Sequence, residues 1–123
     1  MNVNSDNNAR ALSSPRVAAV VVTFNRLSML QDCIAALKTQ IRPPQEIIVV
    51  NNGSTDGTAA WLNEQTDLTV VTQENSGSSG GQLSGIKTAY ENGHDWFWCM
   101  DDDTVPNHDA LAALENAPPF RDA

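Results

Sequence analysis

An open parallel α/β sheet with helices on both faces is the fold class that this 123-residue sequence predicts. Three observations predict it. Short runs rich in Val and Ile recur without polar alternation, the pattern of strands covered on both faces. Stretches with helical periodicity lie between them, so strand and helix alternate along the chain. The unusual polar residues follow directly after the apolar runs, where the carboxyl ends of parallel strands would bring them together.

The elements follow in order. Residues 1–15 are polar, rich in Asn and Ser, and are expected to be a disordered leader ending at Pro15. Val17 to Thr23 (VAAVVVT) is the first strand. Leu27, Leu30, Ile34, Leu37 and Ile41 follow at spacings of 3, 4, 3 and 4, which predicts a helix with one apolar stripe, stopped by Pro43-Pro44. Glu46 to Val50 (EIIVV) is a second buried strand. Ser54 or Thr55 can cap a short helix that reaches about Asn63. Leu68 to Thr72 (LTVVT) is the third strand. Glu74 to Gly81 reads as a polar loop rich in Gly and Ser. Leu83, Ile86 and Tyr90 mark another helix, which Asn92-Gly93 can close. Trp96 to Met100 is the fourth strand. Pro106-Asn107 then opens a last helix over roughly Asp109 to Glu115. The domain is expected over 16–117, with 118–123 as a tail.

Composition bounds the function. Seven Lys and Arg against fifteen Asp and Glu give a net charge of −8, which argues against a nucleic-acid backbone as partner. A 41% hydrophobic content supports one small core. Cys33 and Cys99 sit in apolar segments, where ordinary buried thiols fit better than a disulfide, and two cysteines do not make a zinc site. No run approaches the length of a membrane span, and Met1 to Ser14 lacks the pattern of a signal peptide. The default location is the cytoplasm, with peripheral attachment to the inner face of the membrane left open.

The strongest chemical signal is Asp101-Asp102-Asp103, directly after five large apolar residues. Three like charges delivered to one point repel unless a cation sits there. On an extended backbone Asp101 and Asp103 point the same way and can share Mg²⁺ or Mn²⁺, while Asp102 faces elsewhere. The plainer alternative is a solvated acidic turn before the next helix. Asn51-Asn52 offers amide donors and acceptors suited to a base edge, or forms a simple Asn-Gly turn. In the loop, Ser76, Gly77, Gly80 and Gly81 suit close approach of a phosphate or sugar at a helix start, and the alternative there is a flexible loop. Gly77-x-Ser79-x-Gly81 formally matches a serine-hydrolase elbow, but Gln73 to Ser76 separate it from the strand that would have to run into the serine. His94 and His108 read as surface residues beside helix ends. Arg26 beside Asn25 either balances a diphosphate or is a solvated arginine at a helix start.

Taken together, VAAVVVTFNR, PPQEIIVVNNGSTDGT, the NSGSSGG loop and DWFWCMDDDTVP resemble the family 2 glycosyltransferases, over about residues 17 to 115. The flavour is that of bacterial galactofuranosyl- and rhamnosyltransferase-like members. The resemblance implies a Rossmann-like parallel sheet, the nucleotide-binding half of a GT-A fold. It implies that Thr23, Phe24 and Asn25 line the base and ribose, and that Asn51, Asn52, Asp101 and Asp102 belong to the nucleotide site. The residue at Asn51 is usually Asp in the family; Asn keeps a carbonyl acceptor and loses the charge. Asp101 and Asp103 would be the metal ligands of a DxD-type element. The implied chemistry is metal-dependent transfer of a sugar from a UDP- or dTDP-linked donor to a glycan or lipid-linked acceptor, with inversion. The family's catalytic base lies beyond this element, and no base is identified here. The sequence therefore looks like a donor-binding portion truncated before the acceptor half. A module that holds nucleotide and metal without transferring sugar is the alternative.

Overall fold

A computed structural model of the chain describes residues 15–116. The expected leader, apart from Pro15, and the expected tail lie outside the described residues. Four strands form one parallel sheet: β1 (Val17–Thr23), β2 (Glu46–Asn52), β3 (Thr69–Gln73) and β4 (Trp96–Asp101). Their spatial order is β3-β2-β1-β4. The central strand β1 is buried along its whole length, as an unbroken run of Val and Ala requires. Register places Val20 opposite both Ile48 and Cys99, and Thr23 opposite Asn51.

Helices α1 (Leu27–Lys38) and α2 (Thr58–Asn63) cover one face, and α3 (Gly77–Glu91) covers the other. Side-chain alternation along the strands makes both cores. Ala19, Val21, Ile47, Val49 and Met100 meet Leu30, Cys33, Ile34 and Leu37 of α1 and Leu62 of α2. Ala18, Val20 and Ile48 meet Ala89 of α3. The short α4 (Ala110–Glu115) docks at the far end of α1, where Gln40 accepts from the Leu111 amide and donates to the Asn107 carbonyl.

Several expectations need correction. The helix after β1 ends at Lys38, so Ile41 lies outside it and is exposed; Thr39 and Gln40 end it by bonding back to its carbonyls, ahead of the prolines. Ser54 and Thr55 do not cap α2. Asp56 accepts from the Thr58 amide and hydroxyl instead. The polar stretch after β3 is helical from Gly77 onward. Leu83 and Tyr90, which marked that helix, are 68% and 69% exposed. Its packing side is Gly81, Gly85 and Ala89. A Cβ on Gly85 would lie 2.2 Å from Val20 Cγ1, so only glycine lets the helix backbone sit this close to the sheet. His94 is buried rather than at the surface: its Nε2 lies 2.7 Å from Glu46 Oε1, below the end of α3. Cys99 is exposed on the edge strand β4, whereas Cys33 is buried.

Candidate functional site

The chain moves outward from β1 to β2 to β3, then crosses to β4 on the other side of β1. The carboxyl ends of β1 and β4 therefore flank the point where the winding reverses, the place where open α/β sheets form a crevice. An open cavity of about 360 Å³ lies there, lined by Val22, Thr23, Phe24, Arg26, Asn52, Asn75, Gly77, Ser78 and Asp101, Asp102 and Asp103. That size is within the usual range for small-molecule sites.

Strand β4 ends at Asp101, and the Thr104 amide bonds back to the Asp101 carbonyl, so the backbone turns. The extended geometry expected through Asp103 is thus absent. Asp101 and Asp103 are nevertheless exposed, while Asp102 is turned inward. The Asp102 side chain is 6% exposed. Its Oδ2 accepts from the Thr23 hydroxyl at 2.9 Å, and its Oδ1 lies 3.6 Å from Arg26 Nη1. The same guanidinium nitrogen is 3.9 Å from Asp103 Oδ2. These charges reach the thiol beneath them: burial first, then Asp102 and Asp103, push the Cys33 pKa up to about 12.

On the β2 side the amides are used for construction. Asn51 is buried and its Oδ1 accepts from the Ser54 amide, which makes the Asn-Gly turn. Asn52 donates through Nδ2 to Asn75 Oδ1 and the Gly77 carbonyl, and accepts through Oδ1 from Gln73 Nε2 and the Ser76 amide. It thereby fixes the start of α3 against β2. Asn25, held at a positive φ of 51°, accepts from the Thr55 and Asp56 amides, and its own amide donates to Ser54 Oγ. Asn25 and Asn51 are therefore among the walls' supports and do not line the cavity.

Of the residues singled out from the sequence, Thr23, Phe24, Asn52, Gly77, Asp101, Asp102 and Asp103 come together around the cavity. Ser76, Gly80 and Gly81 do not line it. Ser76 Oγ accepts from Gln73, Gly80 sits over Ser76, and Gly81 packs against Val22 Cγ1. Gly81 thus lets α3 pack closely on the sheet, and Gly80 leaves room for the side chain of Ser76. Ser79 lies inside α3, so no strand delivers it on the sharp turn that a hydrolase elbow needs. Asn75 and Ser78 line the cavity without having been singled out. The Asn75-x-Gly77 pattern was their signal, because Asn75 Oδ1 accepts from the Gly77 amide at the helix start.

Three carboxylates and one guanidinium lie on this lining, which leaves it acidic. Among the described residues no group of three or more His, Cys, Asp and Glu is arranged to hold a metal ion by itself. The donor set still fits Mg²⁺ or Mn²⁺. Both take hard oxygen ligands, often one or two carboxylates completed by phosphate and water, and Asp101 and Asp103 offer such oxygens at the cavity rim.

A model of the family described as "Glycosyl transferase family 2" matches residues 18–117. The galactofuranosyltransferase GlfT1 of Mycolicibacterium smegmatis is 34% identical over 92 residues, which cover 73% of this chain and 30% of that protein. The poly-beta-1,6-N-acetyl-D-glucosamine synthase of Staphylococcus aureus is 30% identical over 98 residues, 76% of this chain and 23% of that protein. The chain thus spans less than a third of the length of these relatives. Two solved structures share the fold. S. aureus TarS 1–349 in complex with UDP superposes with a TM-score of 0.70 at 22% identity, over 80% of this chain and 30% of that one. The mannosyltransferase PcManGT from Pyrobaculum calidifontis, in complex with GDP-Man and Mn²⁺, gives 0.66 at 22% identity, over 87% and 34%.

Proposed function

The chain belongs to glycosyl transferase family 2, and we propose that it is the donor-binding portion of an enzyme that transfers a sugar from a nucleoside diphosphate sugar to an acceptor hydroxyl, with inversion and with a divalent cation. The observation that carries this reading is the placement of Asp101, Asp102 and Asp103 with Thr23, Phe24 and the start of α3 around one cavity at the switch point of the sheet. The structures of similar fold that were solved with UDP or with GDP-Man and Mn²⁺ support it.

Each residue then has a physical task. Phe24, 43% exposed at the cavity, gives the base and ribose an apolar wall. Gly77 and Ser78 bring the first turn of α3, the positive end of its dipole, towards the diphosphate. Asp101 and Asp103 would hold Mn²⁺ or Mg²⁺. When bound, the cation offsets the negative charge that grows on the leaving diphosphate. Asp102, pinned by Thr23, fixes the turn that presents its two neighbours. A uridine or thymidine donor and a glycan or lipid-linked acceptor of the cell envelope are the substrates in this reading, in keeping with the polysaccharide-forming relatives.

Mn²⁺-dependent binding of UDP to Asp101→Asn and Asp103→Asn tests it. Each variant is expected to bind at least about tenfold more weakly, because it loses a charged ligand. Affinities equal to that of the parent chain would overturn the assignment.

A further inference from the structure

We propose that Arg26 is the resident counter-ion of the Asp102–Asp103 pair and that it competes with a divalent cation for Asp103. The inference rests on the donor-site reading above and assigns a role to a residue outside the ligand set. One guanidinium nitrogen lies between two carboxylates, 3.6 Å from Asp102 and 3.9 Å from Asp103. Both separations exceed hydrogen-bond length, so the contact is electrostatic and not locked by direction. Arg26 is the one cationic side chain among the residues that line the cavity.

The two halves of the contact differ. The Asp102 side chain is nearly enclosed and has a hydroxyl partner in Thr23. The Arg26–Asp103 pair is more than half exposed at both ends, so it is weak and readily exchanged. The backbone of Arg26 is tied down as the residue before α1, and its carbonyl accepts from the Leu30 amide at 2.9 Å. The guanidinium is therefore the part that can move.

A cation that takes Asp103 meets a like charge already in place and has to displace it. The displaced guanidinium remains at the cavity, next to the anion that enters with the cation. Metal alone then binds weakly, and metal and diphosphate each strengthen the other, since such coupling is reciprocal. Arg26 acts here as a positioning residue.

The test measures Mn²⁺ binding to the 123-residue chain by the electron paramagnetic resonance signal of free Mn²⁺, with and without UDP. Without nucleotide, Arg26→Gln is expected to bind Mn²⁺ about two- to fivefold more tightly than the parent, the range set by one exposed ion pair. With UDP present the advantage is expected to vanish or reverse. An Arg26→Gln affinity for Mn²⁺ alone that is equal to or weaker than the parent's overturns the proposal. Failure of the donor-site reading looks different: neither protein retains Mn²⁺ even with UDP. If the variant does not fold, the parent chain labelled with ¹⁵N is titrated with Mg²⁺ and the Arg26 Nε–H resonance is followed. A shift that tracks the Asp103 amide supports the competition, and an Arg26 resonance that stays in place overturns it.

Discussion

Asp102 carries a charge in an almost closed place, and two partners hold it there. Its hydrogen bond from Thr23 is the contact on which the turn after β4 depends. Removing the donor leaves a buried carboxylate short of a partner, which costs about 1.5–3 kcal/mol for a bond to a charged group. Thr23→Val is expected to lose that much stability in urea denaturation, and to lose much less in an Asp102→Asn background. Equal losses in both backgrounds would detach Thr23 from Asp102. The thiols make a second residue-scale test. Cys33 is buried with its Sγ 3.9 Å from Met100 Sδ and its pKa pushed up to about 12, while Cys99 is exposed. A thiol reagent is expected to modify Cys99 alone in the folded chain and both cysteines after denaturation. Rapid labelling of Cys33 in the folded chain would contradict its position.

The elements were legible in the sequence to different depths. The two inner runs, in β1 and β2, announced themselves because strands covered on both faces lack polar alternation, as β1 does from Val17 to Val22. The acidic triplet, which lies on the cavity lining, stood out because charge directly after an apolar run is unusual. Helix α3 was not legible in the same way. Its contact face is made of Gly81, Gly85 and Ala89, which carry no hydrophobic signal, while the larger Leu83 and Tyr90 face outward. Close backbone approach had replaced side-chain burial. Gly85→Ala is therefore expected to destabilise the fold by about 1–3 kcal/mol through overpacking, whereas Leu83→Ser stays within about 0.5 kcal/mol of the parent in thermal or urea unfolding. The reverse ranking would refute the assigned face.

The burial of His94 was equally hidden, since it depends on Glu46, 48 residues away in sequence. Glu46 ties the start of β2 to the start of β3 and to the end of α3. Burial pushes its carboxyl up, but hydrogen bonds from Thr69, Asn92 and His94 outweigh that and hold it below the ordinary 4.5. A depressed folded-state value means that the stabilisation is present above pH 4.5 and is lost as pH falls through the lower folded value. Stability is expected to drop on acidification below pH 4.5, and Glu46→Gln is expected to flatten that part of the profile. An unchanged acid limb in the variant would show that Glu46 is not the group responsible.

At the scale of the whole molecule, strand order does what no single motif does. The jump from β3 back to the far side of β1 sets Thr23 and the β4 carboxylates across one crevice, and α3 brings Gly77 and Ser78 to its rim. On the proposed reading, an acidic cavity that received a diphosphate would need a cation to offset the like charges, which would link the net charge of the site to its function. The most direct test is calorimetric titration of UDP and dTDP into the folded chain with Mn²⁺, repeated with excess chelator. Binding that requires Mn²⁺ and disappears with chelation is the expected result, and the preferred base then identifies the donor nucleotide. No binding of either nucleotide by the folded chain in the presence of Mn²⁺, or binding indifferent to chelation, would contradict the claim that this crevice is a metal-dependent donor site.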